Sequence, residues 1–215
     1  MQRQPTHEEE RTAVSAPITR GQLLARGAKG GTALLVVGSA LGRFAGVAAA
    51  DPVPTTADLA YARLLVGVEL LASDFYTQAI AAANTGKRVG GYLKRAYANE
   101  QAHYESVAAI ISGAGQTPAV AGDIDFSYPA GTFAGQSSIV TFARQLEGMM
   151  LGAYLGAIAG IETDGLEAGL AGIAACEAQH SAYFTTALGG KAFGAAFPPA
   201  LSVDEVSNAI DAYTA

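Results

Sequence analysis

Cysteine, tryptophan and cationic side chains are scarce in this sequence. The single cysteine, Cys176, excludes an internal disulfide framework, a cysteine-rich zinc module and a four-cysteine iron centre within the chain. Only 13 of the 215 residues are Lys or Arg and the net charge is −6, which argues against a nucleic-acid partner. Half of the residues are hydrophobic and 15% are charged, a balance that excludes intrinsic disorder. The sequence therefore predicts a globular protein whose chemistry depends on carboxylates, histidines and tyrosines, or on packing alone.

Residues 1–50 differ in composition from the rest and have the parts of an export signal peptide. A polar start leads to a basic region with residues 19–24 (TRGQLL), which resembles a twin-arginine motif with glycine in place of the second arginine. An apolar run over 30–42 follows, and the segment ends in an A-x-A-like sequence at Ala50. That run is shorter than the roughly 20 apolar residues of a membrane span. We expect an export signal cleaved after Ala50 or, alternatively, an uncleaved membrane anchor through residues 30–50.

Residues 51–215 form the predicted domain, which is strongly acidic. It contains 7 Lys and Arg against 16 Asp and Glu, a net charge of −9, and it keeps two of the 3 histidines. A domain with so few compensating cations either repels itself or holds cations.

Four long helices and one short helix are predicted in this domain. Apolar residues recur at three- and four-residue steps over 56–84, 90–112, 137–161 and 166–188, and no stretch alternates as a strand would. A capping-box sequence that follows two prolines predicts a fifth helix over 201–215.

The lengths of the connections predict how these helices pack. Short links join the first helix to the second and the third to the fourth, so each pair should form an antiparallel hairpin. The connection over 113–136 is long enough to cross the bundle. The expected fold is therefore all-α: a four-helix bundle of two antiparallel hairpins joined by a long crossover, with a short C-terminal helix.

An internal repeat carries the residues with metal-binding chemistry. The first and third helices each contribute a lone glutamate, and the second and fourth each contain Glu-x-x-His. The lone glutamate precedes the next motif glutamate by 31 residues in the first half and by 30 in the second. The candidate metal ligands are Glu69, Glu100, His103, Glu147, Glu177 and His180.

This spacing suits a pair of metal ions. Positions i and i+3 lie on one face of a helix, so the glutamate and histidine of each motif point the same way. The lone glutamates can meet them in the core, which gives four carboxylates and two imidazoles around one point. Four buried carboxylates repel one another and are costly to desolvate, but two divalent cations would cancel their charge. Carboxylate and imidazole ligands suit iron or manganese, and zinc can compete for such a site.

The motif pattern resembles that of ferritin-like, carboxylate-bridged di-iron proteins, and more narrowly that of exported bacterial ferritin-like domain proteins, which are similar to desiccation-related proteins of plants. The resemblance covers about residues 56–190 and implies a ferritin-like four-helix bundle that binds two Fe or Mn ions. It implies that Glu100 and Glu177 bridge the two metals. The terminal glutamates and the histidines, each of which would bind one metal, are Glu69, Glu147, His103 and His180.

Five further residues lie close to the motif in the sequence. Tyr76 and Tyr154 each lie seven residues after a lone glutamate, and they could donate hydrogen bonds to the ligands, trap radicals or simply fill the core. Cys176 adjoins a motif glutamate but is expected on another helix face, as a small buried residue. Glu105 and Glu162 are expected at the surface.

Two functions are consistent with the sequence. The first is an exported oxidoreductase, in the periplasm, the cell envelope or outside the cell, that uses the metal pair in ferroxidase- or peroxidase-like chemistry with an external electron donor. The second is a non-enzymatic, stress-associated envelope protein with structural metal or none. Either protein could act as a homo-oligomer.

Overall fold

The computed structural model describes residues 53–214, which form five helices and contain no strand. The predicted all-α bundle of two hairpins with a long crossover is confirmed. The predicted export signal or anchor lies in 1–50, outside the described residues. The helices are α1 (Thr56–Ala81), α2 (Lys87–Gly113), α3 (Gln136–Gly160), α4 (Leu166–Ala187) and α5 (Val203–Asp211).

The bundle consists of the two predicted hairpins packed side by side. The α1–α2 and α3–α4 pairs make the most extensive contacts, and the contacts of α1 with α3 and of α2 with α4 close the bundle. Aromatic rings join the hairpins in the core: the ring centroids of Phe75 and Phe142 are 4.8 Å apart. Among the described helices, only α1 is long and apolar enough to cross a membrane, and 56% of its apolar stretch is buried in the bundle, as in a core helix.

A buried aspartate fastens the start of α1 to the turn between α3 and α4. Thr55 and Asp58 form a reciprocal capping box, in which Thr55 N donates to Asp58 Oδ2 over 2.9 Å and Asp58 N donates to Thr55 Oγ1 over 3.2 Å. Asp58 also accepts a hydrogen bond from Glu162 N over 2.7 Å and another from the Thr163 hydroxyl. One carboxylate therefore caps a helix and joins the two hairpins at this end of the bundle.

The chain after α4 returns along α3 in a groove made by glycines. Leu201 N donates to Gly152 O over 2.9 Å, and a Cβ added at Gly156 would lie 1.9 Å from Leu201 O. Only glycine permits so close an approach of two backbones. The returning chain leads to α5, whose Ile210 lies against Gly67 of α1.

The crossover between the hairpins, residues 114–135, packs on α1 and on the end of the chain. Tyr128 donates to Asp74 Oδ2 over 2.8 Å, and Ser127 N donates to Tyr213 O over 2.7 Å. These hydrogen bonds fasten the crossover to α1 and to the residues that follow α5.

Candidate metal centre

The six motif residues lie on the inner faces of the four long helices. α1 and α3 each provide one glutamate, and α2 and α4 each provide a glutamate and a histidine one turn apart. The four glutamates are fully buried, at 0% exposure, so the centre is shielded from bulk water. The residues brought together are Glu69, Glu100, His103, Glu147, Glu177 and His180.

These residues form two overlapping groups of four that could each hold a metal ion. Within a group, one ligand atom from each residue lies within 4.8 Å of the others. Both groups contain Glu100 and Glu177, so these two carboxylates stand between the two positions. The other members are Glu69 with His103 in the first group and Glu147 with His180 in the second.

The first group is arranged around the Nδ1 atom of His103. This nitrogen lies 2.9 Å from Glu177 Oε1, 3.2 Å from Glu100 Oε2 and 4.0 Å from Glu69 Oε2. The imidazole thus faces carboxylates from three different helices.

The second group is arranged in the same way around the Nδ1 atom of His180. This nitrogen lies 3.1 Å from Glu100 Oε1, 3.3 Å from Glu147 Oε2 and 3.4 Å from Glu177 Oε2. The two imidazole centroids are 6.5 Å apart, so both rings turn toward the shared carboxylates.

Several carboxylate oxygens in the centre have no well-aligned hydrogen-bond donor among the described residues. Glu69 Oε2, Glu100 Oε1 and both oxygens of Glu177 are buried and accept no hydrogen bond of good geometry, although an imidazole Nδ1 lies within 4.0 Å of each. Buried polar atoms are normally satisfied, and leaving a charged one unpaired costs several kcal/mol. Divalent cations would satisfy these oxygens and balance their charge, and the donor set of carboxylates and imidazoles suits iron or manganese. The cluster is therefore compatible with a di-metal site.

The pKa values of the carboxylates indicate which of them are protonated when the cluster holds no metal. Burial, followed by the charges of neighbouring glutamates, raises the pKa of Glu69 and of Glu147 well above the ordinary value. Burial acts in the same direction on Glu177, but the close approach of both imidazoles outweighs it and lowers the pKa of Glu177 to about 2. Without metal, protonation is therefore favoured at Glu69 and Glu147 and disfavoured at Glu177.

The imidazoles also gain protons in the metal-free cluster. Burial by itself would lower the pKa of His103, but its contacts with Cys176 and with the glutamates raise that pKa to about 12. The same balance raises the pKa of His180 well above its ordinary value. Protons thus occupy positions where metal ions would otherwise supply positive charge.

Tyr76 and Tyr154 donate hydrogen bonds to ligand candidates in the opposite hairpin. Tyr76 of α1 donates to Glu147 Oε1, and Tyr154 of α3 donates to Glu69 Oε1. Both phenols are fully buried, and burial together with the nearby glutamates raises the pKa of each well above the ordinary value. They remain donors, and each fixes one oxygen of an unshared glutamate.

The outer nitrogen of His180 has two partners that we did not predict from the sequence. Asn99 Nδ2 lies 3.0 Å from His180 Nε2, and Cys176 Sγ lies 3.5 Å from it. Cys176 is half-buried and touches the ligand set, unlike the buried residue on another face that we expected. The i, i+4 spacing from Cys176 to His180 contained this signal. Glu105 and Glu162 are exposed, as expected.

The fold and the centre together define a class of protein: a four-helix bundle with one long crossover and a buried carboxylate and histidine cluster. A family model described as a ferritin-like domain matches residues 57–190, and the chain belongs to this family. The resemblance found in the sequence is thereby confirmed at the level of the ferritin-like superfamily. No curated protein matches the chain.

Proposed function

We propose that this protein binds two iron or manganese ions between the hairpins and uses them in redox chemistry with dioxygen, peroxide or ferrous iron. The observation that carries the proposal is the set of buried carboxylate oxygens without a hydrogen bond at the meeting point of two four-residue groups. The shared residues Glu100 and Glu177 would bridge the ions. The residues that would bind one ion each are Glu69 and His103, and Glu147 and His180.

The protein's own groups would prepare the site for such ions. Four carboxylates supply a charge of −4, which two divalent cations cancel, and the buried surroundings strengthen that attraction. Tyr76 and Tyr154 hold the unshared glutamates in place from the opposite hairpin. When bound, iron or manganese supplies electron transfer to or from an oxidant, which the side chains alone cannot provide.

Electrons for repeated turnover would come from outside the chain. Its single cysteine cannot form a four-cysteine iron centre, so no second redox site of that kind is available. An external donor would serve a peroxidase-like reaction, whereas ferrous iron oxidised as substrate would serve a ferroxidase-like one. We place either activity outside the cytoplasm, because residues 1–50 have the parts of an export signal.

The decisive experiment counts metals. The full chain is produced in medium with iron or with manganese and then desalted. Bound metal is measured by inductively coupled plasma emission spectroscopy. We expect about two ions per chain and a loss of most binding in Glu100→Ala, because that variant lacks a carboxylate that belongs to both groups. Glu105→Ala removes an exposed carboxylate of the same helix as His103 and should bind as the wild type does.

Optical spectra then separate the two functions. A change in the spectrum of the metal-loaded protein on adding peroxide or dioxygen supports the redox function. Bound metal with no such change supports a structural role, and a folded wild-type protein without metal contradicts the whole proposal.

A further inference from the structure

A cleft between α2 and α4 opens beside the candidate centre. Its volume is about 310 Å³, and its walls include Tyr92, Arg95 and Gln179. Asn99, Cys176 and His180 also line it, so the back of one imidazole lies at the wall of this cleft while its front faces the carboxylates. His180 itself is buried, at 2% exposure, which shows that its neighbours in the cleft cover the ring.

The partner that covers the outer nitrogen of His180 is an amide. Asn99 Nδ2 lies 3.0 Å from Nε2 and also donates to Cys176 Sγ over 3.4 Å. An amide carries both donors and an acceptor, so it can pair with Nε2 in either protonation state. Nδ2 donates to a bare nitrogen, and after a half-turn of the amide Oδ1 accepts from Nε2–H.

Metal binding needs the second arrangement. An imidazole that binds a cation through Nδ1 carries its proton on Nε2, and an acceptor at that proton fixes the ring and makes it a stronger ligand. Asn99 occupies the position of this acceptor at the floor of the cleft. Among the described residues, no amide reaches His103, so the two imidazoles of the centre are supported differently.

We propose that Asn99 is a positioning residue, which orients the His180 imidazole through Nε2 and thereby sets the affinity of one of the two metal positions. This inference rests on the proposed metal binding. Asn99 directly precedes the motif glutamate Glu100, and the equivalent residue in the other half is Cys176. The repeat therefore does not require an amide at this position, and the role proposed for Asn99 is specific to the first half.

The test compares substitutions of opposite chemistry at one position. Asn99→Leu keeps about the same volume but offers no acceptor, and we expect it to weaken Mn²⁺ binding to one equivalent by about 10- to 100-fold. Asn99→Asp offers a stronger acceptor and should bind Mn²⁺ at least as tightly as the wild type. Affinities of the full chain are measured by competition with a chromophoric chelator. Gln179→Ala changes another wall of the same cleft and should leave both affinities unchanged.

The pattern of outcomes decides the inference. Equal Mn²⁺ affinity in the wild type and Asn99→Leu overturns the inference. An equal loss of Mn²⁺ affinity in Asn99→Leu and Asn99→Asp also overturns it, because a purely structural role of Asn99 would not depend on a hydrogen-bond acceptor at His180 Nε2. Thermal unfolding of the metal-free variants checks that they fold. If Asn99→Leu does not fold, Asn99→Ala takes its place, and weaker Mn²⁺ binding in Asn99→Ala than in Asn99→Asp is the expected result. A wild-type chain that binds no Mn²⁺ contradicts the proposed function instead.

Discussion

The α1–α2 and α3–α4 hairpins carry the same set of candidate metal ligands but differ in the residues around it. Each presents a lone glutamate, a Glu-x-x-His pair and a tyrosine aimed at the other hairpin. Outside the centre the symmetry ends: α3 has four glycines at four-residue spacing where α1 has one, and Asn99 in the first half corresponds to Cys176 in the second. The inner helix faces of the two hairpins carry the same motif residues, so their sequences match. The outer helix faces contact different segments of the chain, so their sequences differ.

The largest expected effect is the loss of bound metal when a glutamate that belongs to both groups is replaced, compared with a glutamate that belongs to one group. Glu177→Gln keeps the size of the side chain but removes a carboxylate that belongs to both groups, so we expect the loss of most bound metal at both positions. Glu69→Gln removes a member of one group only and should spare about one ion per chain. Metal is counted by plasma emission after desalting.

The two halves also give this experiment an internal control. Glu100 is shared in the same way as Glu177, so Glu100→Gln should behave as Glu177→Gln does. An equal loss in Glu69→Gln and Glu177→Gln would show that the two groups do not share ligands as the geometry indicates.

A rise in pH should lower the free energy of unfolding of the metal-free protein and increase the stabilisation that bound metal provides. The raised pKa values of Glu69, Glu147, His103 and His180 outweigh the lowered pKa of the Cys176 thiol, so from about pH 6 to 9 the metal-free folded state binds more protons than the unfolded state. Its free energy of unfolding should therefore fall as pH rises from about 6 to 9. The metal must displace those protons, so metal affinity should rise over the same range, by about tenfold per pH unit for each proton displaced.

Thermal unfolding with and without a chelator measures both trends. The unfolding midpoint of the chelated protein should decrease toward pH 9, and the stabilisation by Mn²⁺ should increase. Release of protons on adding Mn²⁺ to weakly buffered protein, followed with an indicator dye, is the direct check. Parallel pH trends for the metal-free and metal-bound protein would contradict the assignment of protons to the empty cluster.

The convergence of the six motif residues could be predicted from sequence because their pattern is local. Glu100 and His103 share a helix face by spacing alone, and the repeat of that spacing in the second half predicts where the other ligands lie. The contact of Asn99 with His180 and the hydrogen bond from Tyr76 to Glu147 each join two different helices. Their formation depends on the distance between the helices, and residue spacing along one helix does not determine that distance.

Helix ends were predicted less well than helix faces, because tertiary contacts decide them. The first helix was expected to continue to residue 84 but ends at Ala81, where Ala83 adopts a left-handed conformation with φ of 53°. Asn84 then donates from Nδ2 to Phe133 O of the crossover over 2.9 Å. The second helix begins at Lys87, three residues earlier than expected, because Gly90 and Gly91 are accommodated within its first turns.

The outer face of α3 offers a test of the difference between the hairpins. Gly156→Ala would place a methyl group 1.9 Å from Leu201 O, and we expect a loss of about 1–3 kcal/mol in the free energy of unfolding. Gly148→Ala, on the same helix, meets nothing within 4 Å and should stabilise the protein by about 0.5–1 kcal/mol. Urea denaturation measures both values. Similar effects of the two substitutions would show that the C-terminal segment does not lie in this groove.

The smallest expected effect concerns the tyrosines that cross between hairpins. Tyr76→Phe removes the donor to Glu147 and Tyr154→Phe removes the donor to Glu69, and each leaves the ring in place. Each should weaken one metal position by about 1 kcal/mol, because one carboxylate oxygen loses its only tyrosine donor while the ligand itself remains. Chelator competition measures the change. Since the two contacts are reciprocal, the two variants should lose the same affinity, and a clear difference between them would show that the symmetry of the ligand set does not extend to the groups that hold it.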